Sequence, residues 1–299
     1  MKRVNVTLEI AAVTDAGRRK GGNQDNFYVN GCYIERYNAG AERFETVDTE
    51  ETHILAVCDG MGGLKDGDVA AMLGVTALAD LSEELRNAHS YNMASLATNR
   101  IVHEANSRIL RMGKKKRKKM GSTFAMLTVT SDYLYACNLG DSEIYHKSRY
   151  SMDRLSKPQT VAQELLDRGT ISESQASQSY VRNQLSKYLG MENLKGLKPN
   201  ECGSEIHNDD ILLICSDGIS DVLPVHTIYA CLNSSRPVKE IADTIIEKAL
   251  RRGSGDNLTV VIARVVDDGK ETRLRRMLAL LLGIVTGLAV LLWLLFWLL

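Results

Sequence analysis

Apolar residues in this chain gather in short runs that stop abruptly on an acid. In "HILAVCDGMGG" (53–63) a buried-looking run ends at Asp59, followed by Gly60, Met61, Gly62 and Gly63. "ILLICSDGISD" (211–221) repeats the device at Asp217, and in "GSGDNLTVVIARV" the pair Asp256-Asn257 opens a third apolar run. Strand character extends over residues 1–14, 27–34 and 53–58, whereas 67–88 and 93–112 carry apolar residues at helical spacing. After a basic run, residues 121–147 read as three strands joined by turns at Ser131-Asp132 and Gly140-Asp141. Residues 158–190 read as helical and polar, without the apolar stripe of a core helix. A strand at 211–216, a helix at 236–251 and a strand at 258–266 complete this part. Strands come in runs and helices in pairs with no βαβ alternation, which predicts an α+β fold of antiparallel sheet covered by helices.

The pattern changes in kind after "KETRLRR" (270–276). "MLALLLGIVTGLAVLLWLLFWLL", residues 277–299, contains no charge. A helix of this length rises roughly 35 Å, enough for a hydrocarbon core of about 30 Å. The expectation is a single-pass transmembrane helix at 277–299, a basic juxtamembrane hinge at 268–276 and one large domain at 1–267. Arg273, Arg275 and Arg276 flank the N-terminal side of the span, so the positive-inside rule keeps the domain cytoplasmic, at the cell membrane.

Bulk composition narrows the function little. Charged residues make up 25% of the chain and cancel to a formal net charge of zero. The six cysteines show no C-x-x-C spacing and read as small core residues in a reducing compartment. The basic run "GKKKRKK" (113–119) is a solvated loop, a contact for anionic lipid headgroups, or a docking site for an acidic or phosphorylated partner. Nucleic acid is disfavoured, since no aromatic residues interleave the run.

The acids carry the chemistry. A lone Asp-Gly is most often a turn. Strands of one core lie side by side, however, and their ends can gather Asp59, Asp217, Asp256 and also Asp25 of "GGNQDNFYV" in a small volume. Unpaired, four carboxylates there would repel one another and lose solvation. Two divalent ions balance them, and an all-oxygen donor set favours Mg²⁺ or Mn²⁺ over Zn²⁺. A pair of such ions about 4 Å apart lowers the pKa of a shared water and clamps a phosphoryl group for in-line attack. No thiolate loop, P-loop or kinase motif competes. The residues alone thus indicate a two-metal hydrolase of phosphate esters.

"TDAGRRKGGNQDN", "VCDGMGG", "MGSTF", "NLGDSEIY", "CSDGISD" and "GDNLTVV", in this order, resemble the protein phosphatase 2C family of metal-dependent serine/threonine phosphatases in its bacterial form. The resemblance covers residues 10–266 and implies a four-layer α-β-β-α sandwich with metals at one end. It implies that Asp59 bridges two metals, that the Gly60 carbonyl holds one, that Asp217 and Asp256 hold the other, and that Asp25 acts through metal-bound water. Asp141 matches the position of a third metal in bacterial members, Lys20 the family's phosphate-holding position, and 158–190 its mobile flap. The implied substrates are phosphoserine and phosphothreonine proteins, hydrolysed without a covalent intermediate, in opposition to a serine/threonine kinase.

Several positions depart from the family pattern. Lys20 stands where Arg is common and so lacks the bidentate fork. Gln24 replaces a frequent Glu, Glu143 a usual Arg, and Pro158-Gln159 an Asp-His pair. Met61 stands where eukaryotic members carry His. These departures leave two other readings open: a catalytically weak phosphoprotein-binding scaffold, and a hydrolase of small phosphate esters.

Overall fold

The structure is a computed structural model that describes residues 4–18, 22–37, 40–61 and 66–298, the side chains of 177, 272 and 288–298 excepted. Among the described residues, two antiparallel sheets pack face to face. The first holds β1 (Val6–Asp15), β4 (Glu42–Glu50), β9 (Glu143–Lys147), β10 (Met152–Arg154), β12 (Ile211–Cys215) and β13 (Leu258–Asp267), in the order β10-β9-β12-β13-β1-β4. The second holds β2 (Asp25–Val29), β3 (Cys32–Tyr33), β5 (His53–Met61), β7 (Phe124–Val129), β8 (Leu134–Leu139) and β11 (Asn200–Ser204), in the order β11-β8-β7-β5-β2-β3. The short β6 (Gly121–Ser122) pairs with the end of β5.

Strand alternation assigns each side chain to a layer. On β1, Val6, Leu8, Ile10 and Ala12 face the second sheet, while Ala11 and Val13 face outward to helices. On β5, Leu55 and Val57 face the first sheet, and Ile54, Ala56 and Cys58 face the opposite helix layer. That layer is α1 (Gly67–Arg86) and α2 (Tyr91–Lys116), packed on the second sheet. α5 (Asp217–Ser220), α6 (Val225–Leu232) and α7 (Val238–Arg251) cover the first. The expected four-layer sandwich is therefore the observed one. All six cysteines are free.

Other expectations need correction. The sequence reading missed β4, an edge strand that alternates half-buried and exposed positions and carries Glu42, Arg43, Glu45, Asp48 and Glu50. Its charges hide the strand pattern, because only one of its faces meets the protein. β10, β11, α5 and α6 are too short to show a period. Residues 158–190 form two short helices, α3 (Val161–Asp167) and α4 (Glu173–Gln178), followed by turns, instead of a continuous helical stretch. The basic run is not simply a loop: Lys114, Lys115 and Lys116 form the last turn of α2, which closes on Arg117 at φ 55°.

α8 (Lys270–Leu298) is helical as expected, and its described apolar residues, among them Leu274, Met277, Leu280 and Ile284, are exposed. Among the described residues no helix is long and apolar enough to cross a membrane. Residues 288–299 of the expected span lie outside those whose side chains are described. The remaining stretch, 277–287, is about half of the ~20 residues a bilayer requires. α8 leaves the sandwich where β13 ends: Arg273 Nη1 lies 2.7 Å from Asp132 Oδ1 in the β7–β8 turn, and Lys270 Nζ donates to the Ile206 carbonyl at 2.9 Å.

Ile214 is fully buried between the two sheets. Ile214→Ala is expected to lower unfolding free energy by about 2–5 kcal/mol through lost burial and a residual cavity, as measured by denaturant unfolding.

Candidate metal centre

The sandwich brings the acid-ended strands to one edge. Asp25 opens β2 and lies in register opposite Asp59, near the end of β5 in the same sheet. In the other sheet, β12 ends at Cys215, Ser216 caps the following turn, and Asp217 is the first residue of α5. Asp256 and Asn257 immediately precede β13, β12's neighbour. Asp141 sits in the turn between β8 and β9, made possible by Gly140 at φ 103°.

The charges of these acids act on Asp59 and Asp217. Burial and then the negative charges of Asp25, Asp217, Asp141 and Asp256 push the Asp59 carboxyl far above the ordinary range. Burial, followed by Asp141, Asp256, Asp221 and Asp25, does the same to Asp217. Asp141 is pushed up to about 7, mainly by burial, with Asp221 and Glu143 adding to the rise. Asp217 Oδ1 is buried without a hydrogen-bond partner among the described residues.

Asp25 is differently placed. Its Oδ2 accepts hydrogen bonds from Ser216 Oγ at 2.9 Å and Thr259 Oγ1 at 2.7 Å. Thr259 Oγ1 lies 2.6 Å from Thr14 Oγ1, which accepts from Asn23 Nδ2 at 2.7 Å. A buried hydroxyl chain thus links the sheets through one carboxylate.

Asn257 ties the same edge together. Its Oδ1 accepts from the Gln24 amide at 2.8 Å, and its Nδ2 donates to the carbonyls of Ala16 and Gly22 at 2.9 and 3.1 Å. The β1–β2 connection is thereby fixed to the start of β13. Thr123 does the equivalent for Asp59: its Oγ1 accepts from the Asp59 amide at 2.9 Å and lies 2.7 Å from Ser142 Oγ. Gln159 joins the Asp141 turn to the flap, taking the Gly140 N–H on Oε1 at 3.1 Å. Sequence reasoning missed all of these. Buried Ser, Thr and Asn beside a strand-terminal acid are the available signal, but each looks like a surface residue in isolation.

Two glycines are required by close backbone approach. A Cβ on Gly60 would lie 1.9 Å from the Gly67 carbonyl oxygen, and one on Gly218 would lie 1.9 Å from that of Asn257. Among the departures from the family pattern, Gln24 accepts from the Gly60 amide through its carbonyl at 3.1 Å. Glu143 pairs with Arg154 at 2.6 Å and accepts a short hydrogen bond from the Tyr145 hydroxyl. Lys20, Gly62 and Gly63 lie outside the described residues.

The donor set fits hard divalent ions: oxygen only, negatively charged, partly buried, with mutual repulsion that a cation relieves. Among the described residues, no group of three or more His, Cys, Asp or Glu side chains is placed to hold a metal ion.

Fold and donor chemistry together fit the class of metal-dependent hydrolases. The sequence model of the protein phosphatase 2C family matches residues 42–253, and the chain belongs to that family. Over 270 residues it is 32% identical to the serine/threonine protein phosphatase PstP of Mycobacterium tuberculosis, an alignment spanning 89% of this chain but 47% of that protein. The chain thus spans about half the length of that relative. It is 29% identical to the serine/threonine phosphatase stp of Listeria monocytogenes, over 83% of this chain and 92% of that one. A crystal structure of the PstP catalytic domain in complex with two manganese ions superposes with a TM-score of 0.69 at 30% identity, covering 88% of this chain and all of that one.

Two outcomes follow from the carboxylate cluster. In EDTA, Asp217→Asn is expected to raise the melting temperature, because it removes a charge whose ionisation the folded state disfavours. The same substitution is expected to diminish the rise that Mn²⁺ gives the wild type; thermal unfolding with and without Mn²⁺ checks both. Gly218→Ala is expected to lower the melting temperature in either condition.

Proposed function

We propose that this protein is a metal-dependent serine/threonine phosphoprotein phosphatase held at the membrane by α8. The observation that carries the reading is the placing of Asp25, Asp59, Asp141, Asp217 and Asp256 at one edge of the sandwich, where burial first, and then the charges of the neighbouring acids, raise the Asp59 and Asp217 carboxyls. Asp59, Asp217, Asp256 and the Gly60 carbonyl would hold two Mn²⁺ or Mg²⁺ ions, with Asp141 at a third. Bound there, the ions supply an acidified water and a clamp on phosphoryl oxygens. Asp25, fixed by Ser216 and Thr259, orients water at the edge of the site and takes up its proton. Lys20 is assigned the substrate phosphate. The substrates are phosphoserine and phosphothreonine proteins, and the reaction that supplies them is that of a serine/threonine kinase.

Membrane attachment is supported by the uncharged run 277–299 and by the exposed apolar side chains at the start of α8. Exposed apolar patches of that extent are rare on proteins that work free in water.

With full-length chain in detergent, Mn²⁺-dependent phosphate release from a phosphothreonine peptide is expected. Asp59→Asn and Asp217→Asn should each reduce kcat by more than about 100-fold, beyond the loss typical of residues that only support a ligand. A wild type as inactive as these variants would overturn the enzyme and leave the scaffold. For the anchor, the full chain is expected in the membrane fraction and a chain ending at Asp268 in the soluble one; a full chain that is soluble without detergent refutes attachment.

A further inference from the structure

The basic run holds two sets of cations, with the exposed Lys115 outside both. Lys116 and Lys118 both reach Asp66, each Nζ 2.7 Å from a different carboxylate oxygen. Asp66 is buried and immediately precedes α1, and these hydrogen bonds hold its carboxyl below the usual range. This pair is architectural, bracing Asp66 at the start of α1. Lys114, Arg117 and Lys119 are exposed and make no ion pair among the described residues.

Those three cations line a cavity of about 670 Å³. Ser186, Tyr188, Gly190 and Asn193 also line it, and Ile109, Leu110, Met120 and Met191 make part of the lining apolar. One carboxylate, Glu192, also lines it. Met61, which follows Gly60 and pairs with Gly121 of β6, also lines the cavity. Positive charge, apolar lining and a place beside the strand that ends on Asp59 thus occur together.

We infer that this groove binds an acidic segment of the phosphoprotein substrate next to its phosphorylated residue, and so selects substrates by flanking sequence. The inference rests on the phosphatase reading for its substrate class. Charge complementarity names the occupant: three unpaired cations against one carboxylate favour Asp- or Glu-rich chain, while the apolar lining takes a flanking apolar side chain. An anionic membrane is the poorer fit. α8 is fastened at the β7–β8 turn and the end of β13, whereas the groove lies at the end where β13 begins. Ten residues of β13 at about 3.3 Å each separate the two ends by roughly 30 Å. A recess lined by cations also meets a flat bilayer less well than an extended peptide.

The test uses the full chain in detergent and the variant Lys114→Glu/Arg117→Glu/Lys119→Glu, which spares the Asp66 pair. Two fluorescent phosphothreonine peptides differ only in carrying Glu or Lys around the phosphoresidue. Affinity is read by fluorescence polarisation in EDTA, and turnover of both peptides and of p-nitrophenyl phosphate is read with Mn²⁺. Wild type is expected to bind the acidic peptide about tenfold more tightly. The triple variant should lose that preference through KM, with turnover of p-nitrophenyl phosphate unchanged. Equal affinities in wild type, or a preference that survives in the variant, overturn the inference. Equal affinities together with cation-dependent differences between phosphatidylserine and phosphatidylcholine proteoliposomes assign the run to lipid and overturn it likewise. A wild type that prefers the acidic peptide yet hydrolyses nothing supports the groove and refutes the phosphatase reading.

Discussion

Repulsion among carboxylates is the constraint to which the rest of this structure answers. Asp25, Asp59, Asp141, Asp217 and Asp256 come from both sheets and four connections, and each raises the cost of ionising another. No packing of apolar residues would hold them there at neutral pH without compensation. The sandwich supplies mechanical compensation: two closely fitted sheets, helices on both outer faces, and strand ends fixed in register. Divalent ions would supply the electrostatic part. The edge is therefore a place where stability has been conceded to chemistry.

The polar groups around that edge have a consistent task, which is to fix backbone and not to bind anything themselves. Asn257 fastens the β1–β2 connection to β13, Thr123 fastens Asp59 to the β8–β9 turn, and the Ser216–Asp25–Thr259 set joins the two sheets. Buried side chains of this type are costly unless satisfied. Here the backbone amides and carbonyls of irregular connections satisfy them. Lys116 and Lys118 play the same part at a distance by anchoring Asp66. A third of a conspicuous basic run is thus spent on architecture, which leaves a smaller set of charges facing solvent.

The acid-ended strands were legible in the sequence because a carboxylate interrupting an apolar run violates the pattern around it. Their partnership was legible only as a consequence of antiparallel packing, which puts Asp25 in register with Asp59 at one end of the second sheet. β4 was illegible because its five charged residues erase the alternation that a one-sided strand should show. The hydroxyls of Thr14 and Thr259 were illegible for the opposite reason: both are fully buried, yet their residue type is that of any surface. The Asp66 pairing with Lys116 and Lys118 joins residues about fifty positions apart, and no local period encodes it.

β4 closes one edge of the first sheet, and an unpaired edge invites a strand from a neighbouring copy. Its Glu42, Glu45, Asp48 and Glu50 make such pairing between like strands repulsive. An acidic border on the exposed sheet edge would keep neighbouring copies from joining by strand addition.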